Sequence, residues 1–182
     1  MSLQGLIYFV PAGVDKLATC YTFNDLTSPP DKYARANRMS PVGVSMFYAS
    51  MDMETARREC TGDEPNIVVG HFKPRKPLKI IDFTRLQMLS FWMENFEPNH
   101  FLYLFHAELV KSLAPDDTNA ISYVSSQVFT EYLRYMFKDE KGNHIDGMVY
   151  KSAKTRGHNI VLFYDQQASR DILELVGYEV GK

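Results

Sequence analysis

Residues Ala36 to Glu59 run from a loop through a strand into a helix within about two dozen positions, which restricts the local architecture more than any other stretch. Ser40-Pro41-Val42-Gly43 is a turn, with a glycine where the backbone must bend or be approached closely. Val44 to Ser50 is rich in β-favouring and aromatic residues and predicts a strand. Asp52 then supplies an N-cap for a helix over Met53 to Cys60.

The same punctuation organises the rest. Leu6 to Val10 predicts a short strand closed by the Pro11-Ala-Gly13 turn, and Leu26 to Asp31, with Pro29 and Pro30, a loop. Asn66 to Phe72 and Leu78 to Asp82 predict strands joined by a basic loop, Lys73 to Lys79, broken by Pro74 and Pro77. Phe83 to Leu113 has helical spacing, with Phe91, Trp92, Phe96, Phe101, Leu102, Phe105 and Leu109 as its core face and Pro98 opening a second helix. Val124 to Lys138 predicts a helix facing inward through Val128, Tyr132, Leu133 and Met136. After a charged turn at Asp139 to His144, Gly147 to Ser152 and Asn159 to Tyr164 predict paired strands around a polar turn, Lys154 to His158. Ala168 to Val180 is either a helix running into a strand or a late strand alone. The sum is one α+β domain over residues 1–182, without repeats or linkers.

Composition narrows the function. At 182 residues a single domain buries roughly 70% of the surface its unfolded chain exposes. A net charge of -2 and the lack of a long basic run argue against direct nucleic-acid binding. No apolar run approaches the ~20 residues that span a bilayer, and the Met-Ser-Leu opening is unlike a signal peptide, so a cytoplasmic protein is expected. Cys20 and Cys60 lack metal-ligand spacing and suit a reducing compartment, with Cys60 packing at a helix end. The five histidines form no metal signature, and His106 on an apolar helix reads as a satisfied core residue. Neither a glycine-rich phosphate loop nor a nucleophile elbow occurs.

Four side chains carry chemistry, each with a plain structural reading beside it. Arg38, next to Asn37, either ties its loop to backbone carbonyls or recognises phosphate or carboxylate through its planar fork of donors. Tyr48 either packs in the sheet or stacks on a planar base or ring, while Phe47 points to the opposite face and suits the core. Asp52 is accounted for by capping and Glu54 by the helix dipole, whereas Glu59 sits at a helix end that disfavours an anion. Ser152 at a strand end can satisfy local backbone, and Gln127 can be a cap neighbour. A cationic loop, an aromatic strand and a helical carboxylate together suit an anionic, ring-bearing ligand on which positive charge develops.

These pieces resemble the RES domain, a family named for arginine, glutamate and serine positions. The likeness is carried by Pro29-Pro30, Ala36-Asn-Arg-Met-Ser-Pro-x-Gly43, Met46-Phe-Tyr48 and Asp52-x-Glu-Thr-Ala-x-x-Glu59. It resumes at Tyr123-Val-Ser-Ser-Gln127, Ile145-Asp-Gly-Met-Val-Tyr-Lys-Ser152 and Gly157-His-Asn-Ile-Val-Leu-Phe163. Many relatives carry a further arginine on the first strand, where this chain has Leu6-Ile-Tyr-Phe-Val10, and some carry an additional N-terminal domain.

The resemblance implies an ADP-ribosyltransferase-like fold, with split, mixed or antiparallel sheets flanked by helices around a cleft. It implies a bacterial toxin that destroys NAD at the nicotinamide–ribose bond, by phosphorolysis or hydrolysis, with NAD and phosphate as substrates and neither metal nor cofactor. It also implies a helix-turn-helix antitoxin partner that plugs the cleft. Carried over residue by residue, Glu59 stabilises the oxocarbenium-like sugar, Arg38 clamps pyrophosphate or phosphate, Tyr48 stacks on nicotinamide or ribose, and Ser152 hydrogen-bonds ribose or phosphate. Asn37, Gly43 and Gln127 complete the expected binding surface. The alternatives are mono-ADP-ribosyl transfer to a macromolecule and a nucleotide- or partner-binding module without turnover.

Overall fold

A computed structural model of the chain describes residues 21–60, 68–87, 90–94, 96–109 and 123–180. The Leu6–Val10 strand, the Pro11–Gly13 turn, Cys20 and residues 110–113 lie outside these, as do the side chains of Cys60 and Leu109.

The described chain is α+β, with its strands divided between two sheets. The larger sheet has the order β1–β5–β4–β3, built from β1 (Phe47–Ser50), β3 (Ile80–Asp82), β4 (Gly147–Lys151) and β5 (His158–Leu162). Its pairings are antiparallel except for β3 with β4, which is parallel. The smaller sheet pairs β2 (Val68–Pro74) antiparallel with β6 (Leu173–Val180). Helices α1 (Met53–Cys60), α2 (Phe96–Leu109), α3 (Val124–Tyr135) and α4 (Gln166–Ile172) complete it. The tail is therefore a helix running into a strand.

Side chains alternate across a strand, so each face of the four-stranded sheet gathers its own core. Phe47, Ala49, Val149, Ile160 and Leu162 point to one face and pack with Val68, Phe72 and Leu173 of the smaller sheet. Met148, Tyr150, Val161 and Phe163 point to the other, where they meet Met39 of the arginine loop and Leu133 of α3. Tyr48, Ser50 and Asn159 share the parity of that second face. Phe47 is buried in the first core, as the alternation predicts.

Four expectations need correction. Strand β1 begins at Phe47 rather than Val44, because the Val44 amide donates to Pro41 within the turn and the Ser45 amide to Asp31 Oδ1. Among the described residues between Phe83 and Leu109 the α-helix is confined to α2, preceded by a short 3-10 turn at Phe83–Arg85. Leu102 and Phe105 pack on the second core, but Phe91, Trp92 and Phe101 are exposed, Trp92 at 88%. Pro98 is the third residue of α2, within the first turn, where the missing N–H has no intrahelical acceptor anyway.

The inward face of α3 is also different. Val128, Tyr132 and Met136 are exposed, and Ser126, Thr130 and Leu133 are buried. Ser126 faces inward because a loop carbonyl, that of Arg38, needs a donor, while Thr130 satisfies its buried hydroxyl on the Ser126 carbonyl of its own helix. Helix α3 ends at Tyr135, not Lys138, and Ser152 and Phe163 lie just beyond β4 and β5.

Candidate functional site

The site is assembled from three separated segments. The arginine loop is closed by two hydrogen bonds between the backbones of Asn37 and Ser40. Gly43 turns the chain back at a φ of 81°, a left-handed conformation that other residues adopt only at a cost, and its amide donates to Ala34. Helix α3 then staples the loop. Ser126 donates to the Arg38 carbonyl and, at 2.9 Å, to that of Tyr123. Gln127 Nε2 donates to the carbonyls of Asn37, at 2.9 Å, and Ser40, at 3.2 Å, while Thr130 reaches Met39 Sδ at 3.6 Å. Gln127 thus spends its amide group on the loop backbone, and Asn37 Nδ2 turns to the Arg35 carbonyl.

The strand places Tyr48 half-buried on the second face, with its phenol sharing a 2.9 Å hydrogen bond with the buried Ser40 hydroxyl. Helix α1 delivers the carboxylate. Asp52 Oδ1 caps it by accepting from the Thr55 amide at 2.8 Å, and Glu54 pairs on the surface with Arg58 at 2.9 Å. Glu59 does neither. Its Oε1 accepts from the Ser152 hydroxyl and from Asn159 Nδ2, both at 2.6 Å. Asn159 is in turn held by Ser50, whose hydroxyl donates to Asn159 Oδ1 at 2.7 Å.

The turn between β4 and β5 sets this arrangement close to α1. Ser152 Oγ accepts the amides of Lys154, at 3.0 Å, and Thr155, at 3.1 Å, and Lys154 Nζ donates to the Glu59 carbonyl at 3.1 Å. Thr55 and Thr155 share a 2.7 Å hydroxyl contact beside Gly157, where any Cβ would overlap Thr55 and Asp52.

Tyr150 is buried in the second core, as the register partner of Asn159. Burial above all, then the neighbouring Tyr48 and Glu59, pushes its phenol well above the ordinary tyrosine range, while Arg38 pulls the other way. Tyr150 therefore stays neutral. His106 of α2 is buried just behind, accepting the Lys151 amide on Nε2 at 3.4 Å, which makes it the satisfied core residue expected. Among the described residues no cluster of three histidine, cysteine or acidic side chains is arranged to hold a metal ion. No described helix is long and apolar enough to cross a membrane.

The structure thus gathers Arg38, Tyr48, Glu59 and Ser152, whereas Asn37, Gly43 and Gln127 shape the loop that carries Arg38. Sequence reading gave no role to Asn159, Ser50, Tyr150 or Ser126. A signal for Asn159 was present: it opens the apolar run Ile160 to Phe163, and a polar side chain entering a buried strand needs a partner.

Searches of curated proteins and of solved structures return no match. The family model for the RES domain matches residues 14–176, nearly the whole chain. At the family level this domain goes with an NAD-related enzyme activity of toxin type and with an ADP-ribosyltransferase-like fold. Segment order, split sheets and family match agree, and the chain belongs to the RES domain family.

Proposed function

We propose that the protein is a bacterial, cytoplasmic NAD-degrading enzyme that cleaves the nicotinamide–ribose bond and passes the ADP-ribosyl group to phosphate or water. The observation that carries this reading is the Glu59 carboxylate, held by Ser152 and Asn159 on the sheet face that Tyr48 shares, with Tyr48 hydrogen-bonded to Ser40 of the loop that carries Arg38. As the C1″–N bond to nicotinamide breaks, its electron pair leaves with nicotinamide and positive charge builds on the ribose ring. A fixed carboxylate attracts that charge more strongly in the transition state than in the ground state, and this difference is what accelerates the reaction.

Glu59 is the carboxylate. Its side chain is already oriented by hydrogen bonds to Ser152 and Asn159, so little reorganisation accompanies charge development. Arg38 suits the pyrophosphate or an incoming phosphate, because a guanidinium offers paired donors to two oxygens. Tyr48 offers a ring face for the nicotinamide or ribose. The oxygen of phosphate or water then bonds to C1″, giving ADP-ribose 1″-phosphate or ADP-ribose.

We further read the protein as the toxin of a toxin–antitoxin pair, its cleft closed by a helix-turn-helix partner. Mixing purified protein with NAD and following nicotinamide tests the enzymatic reading. Release by the wild type, with loss in Glu59→Ala and Arg38→Ala, is expected. A wild type that releases none, with or without phosphate, overturns it.

A further inference from the structure

The hydroxyl of Ser152 is fully committed inside the protein. A serine hydroxyl has one proton to donate and two lone pairs to accept with. Here the proton goes to Glu59 Oε1 at 2.6 Å, and the lone pairs receive the amides of Lys154 and Thr155 at 3.0 and 3.1 Å. Ser152 is 7% exposed. A ribose hydroxyl or phosphate seeking that proton would have to displace Glu59.

Asn159 approaches the same oxygen from the neighbouring strand and is as well buried, at 6% exposed. Its orientation follows from chemistry. The ionised carboxylate can only accept, so the amide NH₂ must face Glu59, and Oδ1 must face the Ser50 hydroxyl that donates to it. Ser50 and Asn159 are register partners across β1 and β5, and Asn159 and Tyr150 across β5 and β4. The sheet itself therefore sets Ser50 against Asn159, and helix α1 brings Glu59 to the Asn159 amide.

From this we infer that Ser152 and Asn159 are positioning residues that act through Glu59: together they clamp Oε1 and fix the direction in which Oε2 points. The inference rests on the reading of Glu59 as the carboxylate that meets the developing charge. It assigns Ser152 to the enzyme's own scaffold in place of substrate binding, and it extends the site to Asn159, with Ser50 as its brace. Helix α1 ends one residue later, at Cys60, so a carboxylate in its last turn gains from anchors outside the helix.

The test separates binding from chemistry. ADP-ribose, which has no nicotinamide to lose, is titrated calorimetrically into wild type, Ser152→Ala and Asn159→Ala, and nicotinamide release is measured at saturating NAD. The clamp predicts ADP-ribose affinity within about twofold of wild type and a kcat lowered roughly 10²-fold, the scale of a misplaced reacting group. In a Glu59→Gln background neither substitution lowers kcat further. An ADP-ribose affinity that falls tenfold or more in Ser152→Ala while kcat holds overturns the inference.

A second readout depends on neither turnover nor those variants folding. The Asn159 side-chain amide is followed by nitrogen–proton NMR in wild type and in Glu59→Gln. One amide proton shifted well downfield in the wild type, and moving upfield once the charge is removed, is the expected result. An amide indifferent to Glu59 contradicts the clamp. Wild-type protein that leaves NAD intact while showing this signal defeats the NAD reading and leaves the clamp standing.

Discussion

Ser152 and Glu59 lie 93 positions apart in sequence, yet the serine hydroxyl donates to the glutamate Oε1 at 2.6 Å. The bond joins the turn after β4 to the last turn of α1 and closes the site. A long-range polar contact of this kind forms only once the sheet and helix are both in place. The site is thus a product of the complete fold, and substitutions in its supports carry through to its chemistry.

Arg38→Lys is expected to raise the KM for NAD about tenfold or more, with a smaller effect on kcat. Lysine keeps the charge but presents a point ammonium in place of a planar fork, so paired contact with two phosphate oxygens is lost. Steady-state kinetics at matched ionic strength make the measurement. A variant as tight as wild type would show that charge alone suffices at this position.

Ser126→Ala removes the donor to the Arg38 and Tyr123 carbonyls without touching the arginine side chain. An unsatisfied part-buried carbonyl costs about 1–3 kcal/mol. In a chain of this size each kcal/mol lowers Tm by roughly 2–4 °C. Thermal unfolding should show that loss, and NAD titration should show a raised KM as the loop loosens. An unchanged KM would separate the loop staple from binding.

Gly157→Ala should be among the most damaging single-methyl changes. The new Cβ would overlap Thr55 Oγ1 and Asp52 Oδ2, pushing the capped start of α1 away from the β4–β5 turn. Overpacking of this kind typically costs about 1–3 kcal/mol. Because α1 also carries Glu59, activity at a temperature where the variant remains folded is expected to fall as well.

The pH dependence of stability carries a signature of His106. Burial, followed by the nearby Lys151 charge, holds its imidazole below the usual value of 6.5. The unfolded chain therefore takes up the proton first on acidification. The stabilisation tied to neutral His106 is complete above 6.5 and is lost as pH falls through the lower folded-state value. Urea unfolding of wild type and His106→Gln between pH of about 7.5 and 5.5 isolates the effect, because the linkage belongs to the residue removed. Wild type should lose stability more steeply than the variant, and parallel curves would contradict the assignment.

Much of the fold was legible because local signals and tertiary needs coincide. Met53–Cys60 is a helix with its expected cap at Asp52, and the tail resolves into a helix and a strand. The division of carboxylates was readable too, since capping and a surface ion pair occupy Asp52 and Glu54. Both α2 and α3 are helices as expected, but their buried faces differ, because apolar periodicity identifies a helix without saying which stripe meets the core. In α3 the packed neighbour is a carbonyl-bearing loop, so Ser126 turns inward to it, Thr130 on the same face bonds back to the Ser126 carbonyl, and Val128, Tyr132 and Met136 turn out. The role of Asn159 could not be read locally, because its partner on α1 is brought close only by tertiary structure.

NAD cleavage at this site is proposed to depend on the Glu59 carboxylate. Proton NMR of NAD incubated with wild-type protein, with and without phosphate, tests it most directly. Free nicotinamide should accumulate alongside either ADP-ribose 1″-phosphate or ADP-ribose, and Glu59→Gln should slow it by about 10²–10³-fold, the cost of losing one preorganised electrostatic group. NAD that stays intact in both samples, or a Glu59→Gln protein as active as wild type, would contradict the account.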